Sequence, residues 1–467
     1  MEFFKRIFST RYMVKQKWLR GEIITSKEAY RTSLSIALPA VAEMVSISLI
    51  GIADTIMVGR LGAYAIAAVG LTGQPRLIFL SIFMALNVGV TAIVSRRTGE
   101  NDPEAANRCL RQSLLIGLAL GVIVSVMAVI LAGPVMRTAG AQSDTLEPSV
   151  TYFKVLSAGM PLQILTMIIC AAQRGVGNTK ITMYVNIAAN VVNVTFNYLL
   201  IGGNLGFPRL EMLGAGIATV IGYTVGFILA VYSLFNGRGY LRIKRNESWR
   251  LDLPMLRILS RLGGNSMIEQ LAMRVGFLVF ALLIAKLGTD AFASHQIAMQ
   301  LMNLSFTFAD GIGVATTALV GQNLGRNRPD LSVMYGQIGQ RLAFLVAMCL
   351  MVFSFFGRRW FPGLFIDDPK IIALSGSLMV ILALIQPVQT SQIVMAGSLR
   401  GAGDTKFVAL TMILTVMFIR PVAAYILTYA VGLGVIGCWL AILFDQIVRL
   451  TLVFRRFLSG KWMYISV

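Results

Sequence analysis

The chain has 467 residues, of which 56% are hydrophobic and only 13% are charged, and its formal net charge is +20. Soluble proteins carry roughly 25% charged residues, so this composition excludes a soluble globular domain. The positive charge suggests nucleic acid, but most lysines and arginines fall in the loops on one side of the hydrophobic segments, as in membrane proteins that follow the positive-inside rule. We therefore expect a multi-pass protein of the plasma membrane with both termini in the cytoplasm and no nucleic-acid partner.

Hydrophobic runs of about 20 residues, each long enough to cross a bilayer, recur along the whole sequence. The predicted spans, in chain order, are 33–58, 64–95, 113–134, 149–173, 179–203, 212–237, 262–285, 290–323, 336–356, 371–397, 407–431 and 434–457. The fold class is therefore an all-α polytopic membrane protein with 12 transmembrane helices.

These spans divide the chain into five predicted parts. They are a basic cytoplasmic N-terminal segment (1–32), an N-lobe (33–237), a basic cytoplasmic linker (238–261), a C-lobe (262–457) and a C-terminal tail (458–467). The two basic segments are expected either to lie on an anionic leaflet as amphipathic helices or to be solvated flanks.

The sequence contains an internal repeat. The motif "QRGVGNTK" at 173–180 returns as "LRGAGDTK" at 399–406, and the same shift of 226 places Glu43 on Glu269. Each half then holds six spans and both halves face the same way, which predicts two six-helix bundles related by a pseudo-two-fold axis along the membrane normal. Several secondary transporters share this arrangement, although a duplicated scaffold without transport activity is the alternative.

A set of polar residues in the first half has no polar counterpart in the second. Asp54 maps onto Phe280, and four asparagines of the fifth span, spaced to form one helical stripe, map onto apolar residues. Thr219 of the sixth span is expected at a similar depth. Carboxylate, amide and hydroxyl oxygens together suit Na⁺ or a proton site. The candidate coupling-ion site is Asp54, Asn190, Asn193, Asn197 and Thr219, with Asn186 as the fourth asparagine.

Two alternatives to this site stay open. Asp54 lies near the outer interface in the predicted topology and is suited to capping its helix there. Asparagines also serve as interhelical hydrogen-bonding groups in membrane bundles.

Glu43 and Glu269 are acidic residues that the repeat preserves inside predicted spans. A charge at that depth costs roughly 3 kcal/mol on insertion scales, so the two glutamates need an explanation. They are candidates for binding a cationic substrate in a cavity between the bundles. Ion pairing with Arg76 and Arg274 is the alternative.

Other polar positions give weaker signals. Gln296 is a further candidate for the substrate cavity, whereas its neighbour His295 is expected to be structural. Arg420 is expected to pair with Asp310 or Asp445. Four scattered cysteines indicate no disulfide or metal framework.

At this point the sequence resembles the multidrug and toxic compound extrusion (MATE) family. The resemblance rests on "LPAVAEMVSISLIGIADTIMVGRLG", on both "RGxGxT" motifs, on "ASHQIA" and on "VGQNLG", and it covers essentially the whole chain. It implies a twelve-helix antiporter that expels cationic, often aromatic and lipophilic compounds in exchange for Na⁺ or H⁺.

The resemblance also implies roles for individual residues. The first-helix aspartate, fifth-helix asparagine and sixth-helix threonine of some prokaryotic members match Asp54, Asn193 and Thr219. A second acid of those members falls on Asn197, which removes one negative charge here. Their first helix bends around a proline that matches Pro39. A tenth-helix acid of other members has Gln389 in its place, which makes Gln389 a further candidate for the substrate cavity. Their seventh-helix glutamate aligns one turn from Glu269.

The predicted function is therefore a monomeric secondary active multidrug efflux antiporter that works by alternating access. Its partners are organic cations and the lipid bilayer, and no cofactor or metal is expected beyond the coupling ion. The alternative is a flippase for a lipid-linked precursor, but such a protein is expected to carry cations in its cleft. With one histidine, no nucleophile motif and no GxxxxGK[ST] loop, neither an enzyme nor an ATP-driven pump is indicated.

Overall fold

The computed structural model describes residues 8–235, 239–243 and 248–465. These ranges contain helices and no strand, which confirms the all-α prediction. The first seven residues of the predicted N-terminal segment lie outside the described residues. So do 236–238 and 244–247, at and within the predicted linker, and the last two residues of the predicted tail.

Sixteen α-helices make up nearly all of the described chain. They are α1 (Ser26–Gly59), α2 (Ala63–Gly99), α3 (Pro103–Ile130), α4 (Ala132–Thr138), α5 (Leu146–Ala158), α6 (Met160–Val176), α7 (Thr179–Gly202), α8 (Glu211–Phe235), α9 (Leu253–Ala285), α10 (Thr289–Gly325), α11 (Pro329–Phe356), α12 (Trp360–Gly363), α13 (Pro369–Gly401), α14 (Thr405–Met412), α15 (Arg420–Tyr425) and α16 (Gly434–Ser459).

Among the described residues, eleven spans are long and apolar enough to cross a membrane, and the bent pair α5–α6 brings the total to the predicted twelve. The pair bends by 49° at Gly159. Pro161 follows the bend and cannot donate to the carbonyl of Ser157. The hydroxyl of Ser125 donates to that carbonyl instead, at 2.7 Å, so the break leaves it satisfied. In the eleventh span a π-helical stretch, Ile413–Ile419, joins α14 to α15, and a second one, Ile426–Ala430, follows α15.

The chain forms two compact units. One comprises Ala42–Met267, and the other comprises Met1–Val41 together with Ile268–Val467. The chain thus passes from one unit to the other inside α1 and inside α9, rather than at the predicted lobe boundaries. Pro39 lies two residues before the passage in α1, and Gly263 and Gly264 lie just before the passage in α9. Both helices are therefore weakened near this point, because proline removes a backbone hydrogen bond and glycine lowers helix propensity.

The N-terminal segment belongs to the unit that contains the second half of the chain. Met13 and Val14 are buried against side chains of α11, and Gln337 donates to the carbonyl of Met13 at 2.8 Å. The backbone N–H of Arg20 donates to Asp330 at 3.2 Å. Residues 9–25 contain two short 3₁₀ turns and no amphipathic helix, and the buried Met13 and Val14 anchor this largely exposed stretch to the unit.

The linker lies on the other unit in the same manner. Asn107 of α3 accepts from the backbone N–H of Arg242 at 2.7 Å, and Gln112 donates to the carbonyl of Arg250 at 2.7 Å. Gln112 also accepts from the N–H of Asp252 at 3.1 Å. The described parts of the N-terminal segment and of the linker are therefore each held by polar side chains in the first turns of a helix, α11 for the N-terminal segment and α3 for the linker.

The repeated RGxGxT motif forms the same turn in both halves. Gly177 and Gly403 adopt φ angles of 89° and 87°, a left-handed conformation that ends α6 and α13 and favours glycine. Gly401 lets α13 approach α10 so closely that a Cβ there would lie 2.3 Å from the carbonyl oxygen of Thr317. The motif therefore serves helix termination and close helix packing.

Side-chain contacts repeat with the predicted shift as well. Thr91 donates to the carbonyl of Ala171 at 3.0 Å, and Thr317 donates to that of Gly397 at 2.9 Å. Both members of each pair are related by 226 residues, so the repeat read from the sequence is a repeat of structure.

Candidate functional site

Four of the predicted site residues meet inside the Ala42–Met267 unit. Asn197 of α7 donates to the Asp54 carboxylate of α1 at 2.7 Å, and Asn193 contacts Thr219 of α8 at 3.1 Å. Both asparagines are buried, whereas Asp54 and Thr219 are half-buried. Three helices thus place a carboxylate, two amides and a hydroxyl at one point, which we call the acid–amide site.

The Asn193 amide has two orientations with different partners. With its nitrogen toward Thr219, it donates to that hydroxyl. Turned over, it donates to both Asp54 oxygens, at 2.9 and 3.2 Å, and its oxygen faces the hydroxyl and backbone N–H of Thr219. The second orientation satisfies a charged carboxylate best, because a carboxylate only accepts hydrogen bonds.

Close packing of α7 on α8 holds the site together. A Cβ at Gly222 would lie 2.9 Å from the carbonyl oxygen of Ala189 and 3.1 Å from Cβ of Asn193. Glycine at this position lets the two backbones approach, and Thr219, one turn away on α8, is then within reach of Asn193. The site thus depends on a residue that carries no polar group.

The remaining asparagines of the predicted stripe are not part of this site. Asn186 donates to Glu43 at 2.9 Å. Asn190 lies between the two groups, and its Nδ2 has no hydrogen-bond partner among the described residues. Glu43 and Asp54 are eleven residues apart on α1, and Asn186 and Asn197 are eleven residues apart on α7. The two helices therefore align two carboxylates with two amides in register.

Glu43 is a buried ion-pair partner. Its carboxylate accepts from Arg174 at 3.0 Å and from Thr182 at 2.5 Å, in addition to Asn186, and its side chain is 1% exposed. Arg174 belongs to the first RGxGxT motif.

Glu269 has the equivalent partner in the second half. It pairs with Arg400 of the second motif and is 2% exposed. Neither predicted alternative describes these glutamates. They do not pair with Arg76 and Arg274, and their carboxylates are occupied by arginines rather than presented to a substrate.

Arg76 lies beside the acid–amide site, and we did not predict it there. Its guanidinium binds Gln163 at 3.1 Å and the hydroxyl of Tyr223, and it stacks on the Tyr223 ring at 5.6 Å. Arg76, Tyr152 and Tyr223 are all within electrostatic range of Asp54. Two phenols and a fixed cation therefore surround the carboxylate.

The second half carries a different group at the equivalent place. Asp445, the counterpart of Thr219, binds Arg420 at 2.5 and 3.0 Å and Arg449 at 2.6 and 2.8 Å. All three are almost fully buried. Arg420 also stacks on Phe280, the counterpart of Asp54, at 5.9 Å. Of the two predicted partners of Arg420, the structure places Asp445 in contact. Two arginines thus bind this carboxylate.

The other predicted residues fall into different environments. Gln296 is exposed on α10. Gln389 is fully buried in α13, and its amide has no hydrogen-bond partner among the described residues, so it does not lie on an accessible surface. His295 packs among Phe280, Phe292 and Trp439 with ring separations of 5.8 to 6.3 Å, consistent with the structural role expected for it.

A duplicated bundle of up to twelve spanning helices, with buried ion pairs at equivalent places and one acid–amide site, defines a membrane transporter rather than an enzyme. The chain belongs to the MatE family, which is the multidrug and toxic compound extrusion family. The family model matches twice, at residues 39–199 and 266–426.

Relatives match along nearly the whole chain. A probable multidrug resistance protein NorM of Thermotoga maritima is 27% identical over 455 residues, which is 97% of each chain. The multidrug resistance protein PmpM of Pseudomonas aeruginosa is 28% identical over 386 residues, 82% of this chain and 80% of its own.

Solved structures show the same fold. A MOP superfamily transporter from Pyrococcus furiosus matches with a TM-score of 0.87 at 21% identity, over 97% of this chain and all of its own. An outward-facing multidrug resistance MATE family transporter matches with a TM-score of 0.86 at 22% identity, over 96% and 99%. The likeness confirms the twelve-helix, two-lobe architecture.

Proposed function

We propose that the protein is a secondary active multidrug efflux antiporter of the plasma membrane. It exports organic, mostly cationic and lipophilic compounds in exchange for H⁺ or Na⁺ by alternating access, with both termini in the cytoplasm. The multidrug resistance names of its relatives support the export function. The single observation that carries ion coupling is the acid–amide site of the first half, whose equivalent place among the described residues of the second half holds the arginine-bound Asp445.

The chemistry of this site suits a cation. Besides the Asp54 carboxylate, it contains the Asn197 Oδ1 atom, a buried oxygen without a hydrogen-bond partner among the described residues. Buried polar atoms are normally satisfied, so such an oxygen is available to a bound ion. Carboxylate, amide and hydroxyl oxygens are hard ligands of the type that Na⁺ prefers.

Protonation of Asp54 would act through the Asn193 amide. A charged carboxylate accepts from both asparagines, whereas a protonated one must donate and needs an acceptor. The Asn193 amide then turns its oxygen toward Asp54 and its nitrogen toward Thr219. Binding of the ion at Asp54 thereby changes the hydrogen bonds between α7 and α8. The ion then stabilises one conformation of the lobe relative to another.

Arg76 gives Asp54 a counter-charge when no ion is bound. A buried carboxylate without a nearby cation is costly, and a guanidinium within electrostatic range offsets part of that cost. Because Arg76 is bound by Gln163 and Tyr223, it stays near the site without blocking it.

A flippase for a phosphate-linked lipid is less well supported. Phosphate recognition favours accessible arginines. Arg420 and Arg449 are buried and bound to Asp445, and Arg174 and Arg400 are bound to glutamates. These arginines are engaged by carboxylates, which leaves a cationic compound as the better substrate.

The deciding experiment uses the purified chain in liposomes loaded with a fluorescent cation. A Na⁺ gradient and a pH gradient are imposed separately, and dye efflux is recorded for each. We expect one gradient to drive efflux, and Asp54→Asn to abolish it while protein remains in the membrane. Asn193→Ala should shift the dependence of efflux on Na⁺ or pH. Efflux by Asp54→Asn at the normal rate, or no gradient-driven efflux by the unmodified chain, would refute the proposal.

A further inference from the structure

A basic cavity lies between the linker and the start of α3, and we call it the linker cavity. It has a volume of about 1150 Å³ and is bounded by the first turns of α3, by the linker and by the start of α9. Four arginines and two carboxylates are the charged residues that line it. They are Arg108, Arg111, Arg242, Arg250, Glu104 and Asp252. The described lining therefore has an excess of positive charge.

Two of these arginines have no acidic partner among the described residues. Arg108 contacts both lining acids, Glu104 at 3.4 Å and Asp252 at 3.6 Å. Arg242 and Arg250 lie more than 4.0 Å from every carboxylate that the structure describes, and both are exposed. They give the cavity two cations that can bind an anion through charge-assisted hydrogen bonds.

An apolar groove continues the cavity toward the middle of the span. It has a volume of about 180 Å³, and nearly all the side chains that line it are apolar. The cavity reaches Gln112 on α3 and Pro254 on α9, and the groove begins within one turn of each, at Ile116 and Leu256. On α9 the groove extends to Met267. That stretch of helix is about 16 Å long, close to half of a hydrocarbon core of roughly 30 Å.

The second half of the chain has apolar packing at the place that corresponds to the cavity. By the shift of 226, Arg108 and Arg111 correspond to Met334 and Gln337. Met334 belongs to a buried apolar cluster that includes Met13 of the N-terminal segment, and Gln337 donates to the carbonyl of Met13. The arginines of the linker cavity are therefore not a requirement of the repeated fold.

The linker beside the cavity also carries exposed apolar side chains. Trp249, Leu251 and Leu253 are 42%, 66% and 72% exposed. Tryptophan is typical of the interface between membrane and water, and cations there meet the phosphate groups of anionic lipids. A soluble anion would bind the arginines but would leave both the groove and these side chains uncovered. A lipid covers all three.

We propose that the linker cavity and the groove together bind one anionic phospholipid. Arg242 and Arg250 bind the phosphate of the headgroup, and one acyl chain lies in the groove along α9. The two parts of the site adjoin each other, as the phosphate and the chain of one lipid must. The bound lipid connects the linker to α3 and α9 and stabilises the folded protein. This inference goes beyond the proposed function, because it requires neither ion coupling nor export.

The test measures lipid binding to the full-length chain, purified in detergent and freed of lipid, by native mass spectrometry. Dioleoylphosphatidylglycerol is the anionic probe, and dioleoylphosphatidylcholine has the same chains without net charge. Glycerophosphoglycerol, the headgroup without chains, is the soluble competitor. The first variant is Arg242→Gln with Arg250→Gln. Its matched control is Lys180→Gln with Arg257→Gln, which removes two exposed cations of the same unit from outside the cavity and the groove.

A second variant tests the groove. A Cβ at Gly264 would have nothing within 4 Å, so Gly264→Phe is accommodated and fills the space that the acyl chain needs. If this variant does not fold, Ser260→Trp on the same groove replaces it.

The unmodified chain should bind phosphatidylglycerol about tenfold or more tightly than phosphatidylcholine. The double arginine variant should lose this preference, with phosphatidylglycerol weakened by about tenfold or more, and the control should keep it. Gly264→Phe should weaken both lipids by about tenfold or more, because both carry the same chains. Glycerophosphoglycerol at equal concentration should not displace the lipid.

The proposal is overturned if the double arginine variant keeps the preference, if the control loses it equally, or if Gly264→Phe binds both lipids normally. Displacement of the lipid by an equal concentration of glycerophosphoglycerol would also overturn it, since the ligand would then be a soluble phosphate compound. If the double variant does not fold, Arg242→Gln and Arg250→Gln are measured singly. Each should weaken phosphatidylglycerol by about threefold or more, and unaltered binding by both rejects the site.

Discussion

The Glu43–Arg174 pair provides the sharpest test of how the two repeated glutamates act. If Glu43 is structural, Glu43→Gln leaves the Arg174 guanidinium without a carboxylate inside the lobe. Removal of one partner from a buried ion pair costs about 3–5 kcal/mol. Arg174 is 16% exposed and the substituted amide can still contact Thr182 and Asn186, so we expect the lower end, about 3 kcal/mol.

This cost can be read as a shift in the melting temperature. One kcal/mol lowers Tm by roughly 2–4 °C in a unit of 150–250 residues, so Glu43→Gln should lower Tm by about 6–12 °C. The assay is thermal unfolding of the detergent-purified chain, followed by intrinsic fluorescence. Glu269→Gln, which breaks the equivalent pair with Arg400, should cause a similar loss.

The double variant Glu43→Gln with Arg174→Gln is the control. It leaves no unpaired charge, so it should recover much of the lost stability. The cost of the single variant lies mainly in leaving the Arg174 guanidinium without a carboxylate partner. Ethidium binding by the folded fraction should be unchanged in both. An unchanged Tm for Glu43→Gln together with lost cation binding would show that Glu43 contacts substrate, and the structural account would fail.

Three further substitutions test other parts of the fold and site. Gly401→Ala places a methyl group 2.3 Å from the carbonyl oxygen of Thr317, so overpacking should cost about 1–3 kcal/mol, seen as a lower Tm. Asn197→Asp puts a second carboxylate against Asp54, so NaCl should raise the Tm of this variant more than that of the unmodified chain, with choline chloride as the reference salt. Asp445→Asn abandons two buried arginines and should abolish folded protein in size-exclusion chromatography, whereas loss of either arginine alone leaves a neutral pair and should be tolerated.

The sequence was sufficient for the fold because the relevant signals are local or repeated. Hydrophobic run length identified the spans, and the constant shift of 226 identified the duplication. The bend at Gly159 was missed, because a Gly-x-Pro sequence in an apolar run is compatible with either a straight or a broken span. The helical ranges also extend beyond the apolar runs, since helices continue into the polar loops.

The candidate site was only partly accessible to sequence reasoning. Spacing along one helix grouped the asparagines, but only packing between helices shows that Asn186 serves Glu43 while Asn197 serves Asp54. The partners of Glu43 and Glu269 were available in principle. Arg174 and Arg400 are related by the same shift as the glutamates, and two repeated charges of opposite sign are natural partners.

Exposure was the property that sequence could not supply. Gln296 was singled out, but the other exposed polar residues of α10 were not, because a polar residue in a span is equally compatible with a buried contact. Pairing of the glutamates with Arg76, one of the two alternatives considered, is wrong for the same reason. The place of Arg76 beside Asp54 depends on how α2, α5 and α8 pack, which no spacing along α2 encodes.

The packing of the N-terminal segment on the second half, and of the linker on the first half, has a practical consequence for handling the chain. Because Met13 and Val14 complete an apolar cluster of the unit built mainly from the second half, a bulky fusion or trimming at the amino end disturbs residues more than three hundred positions away in sequence. Cutting the chain before the linker would likewise remove from the first half a segment that is hydrogen-bonded to its helix α3. Protein engineering of either half must therefore carry along a piece of the other.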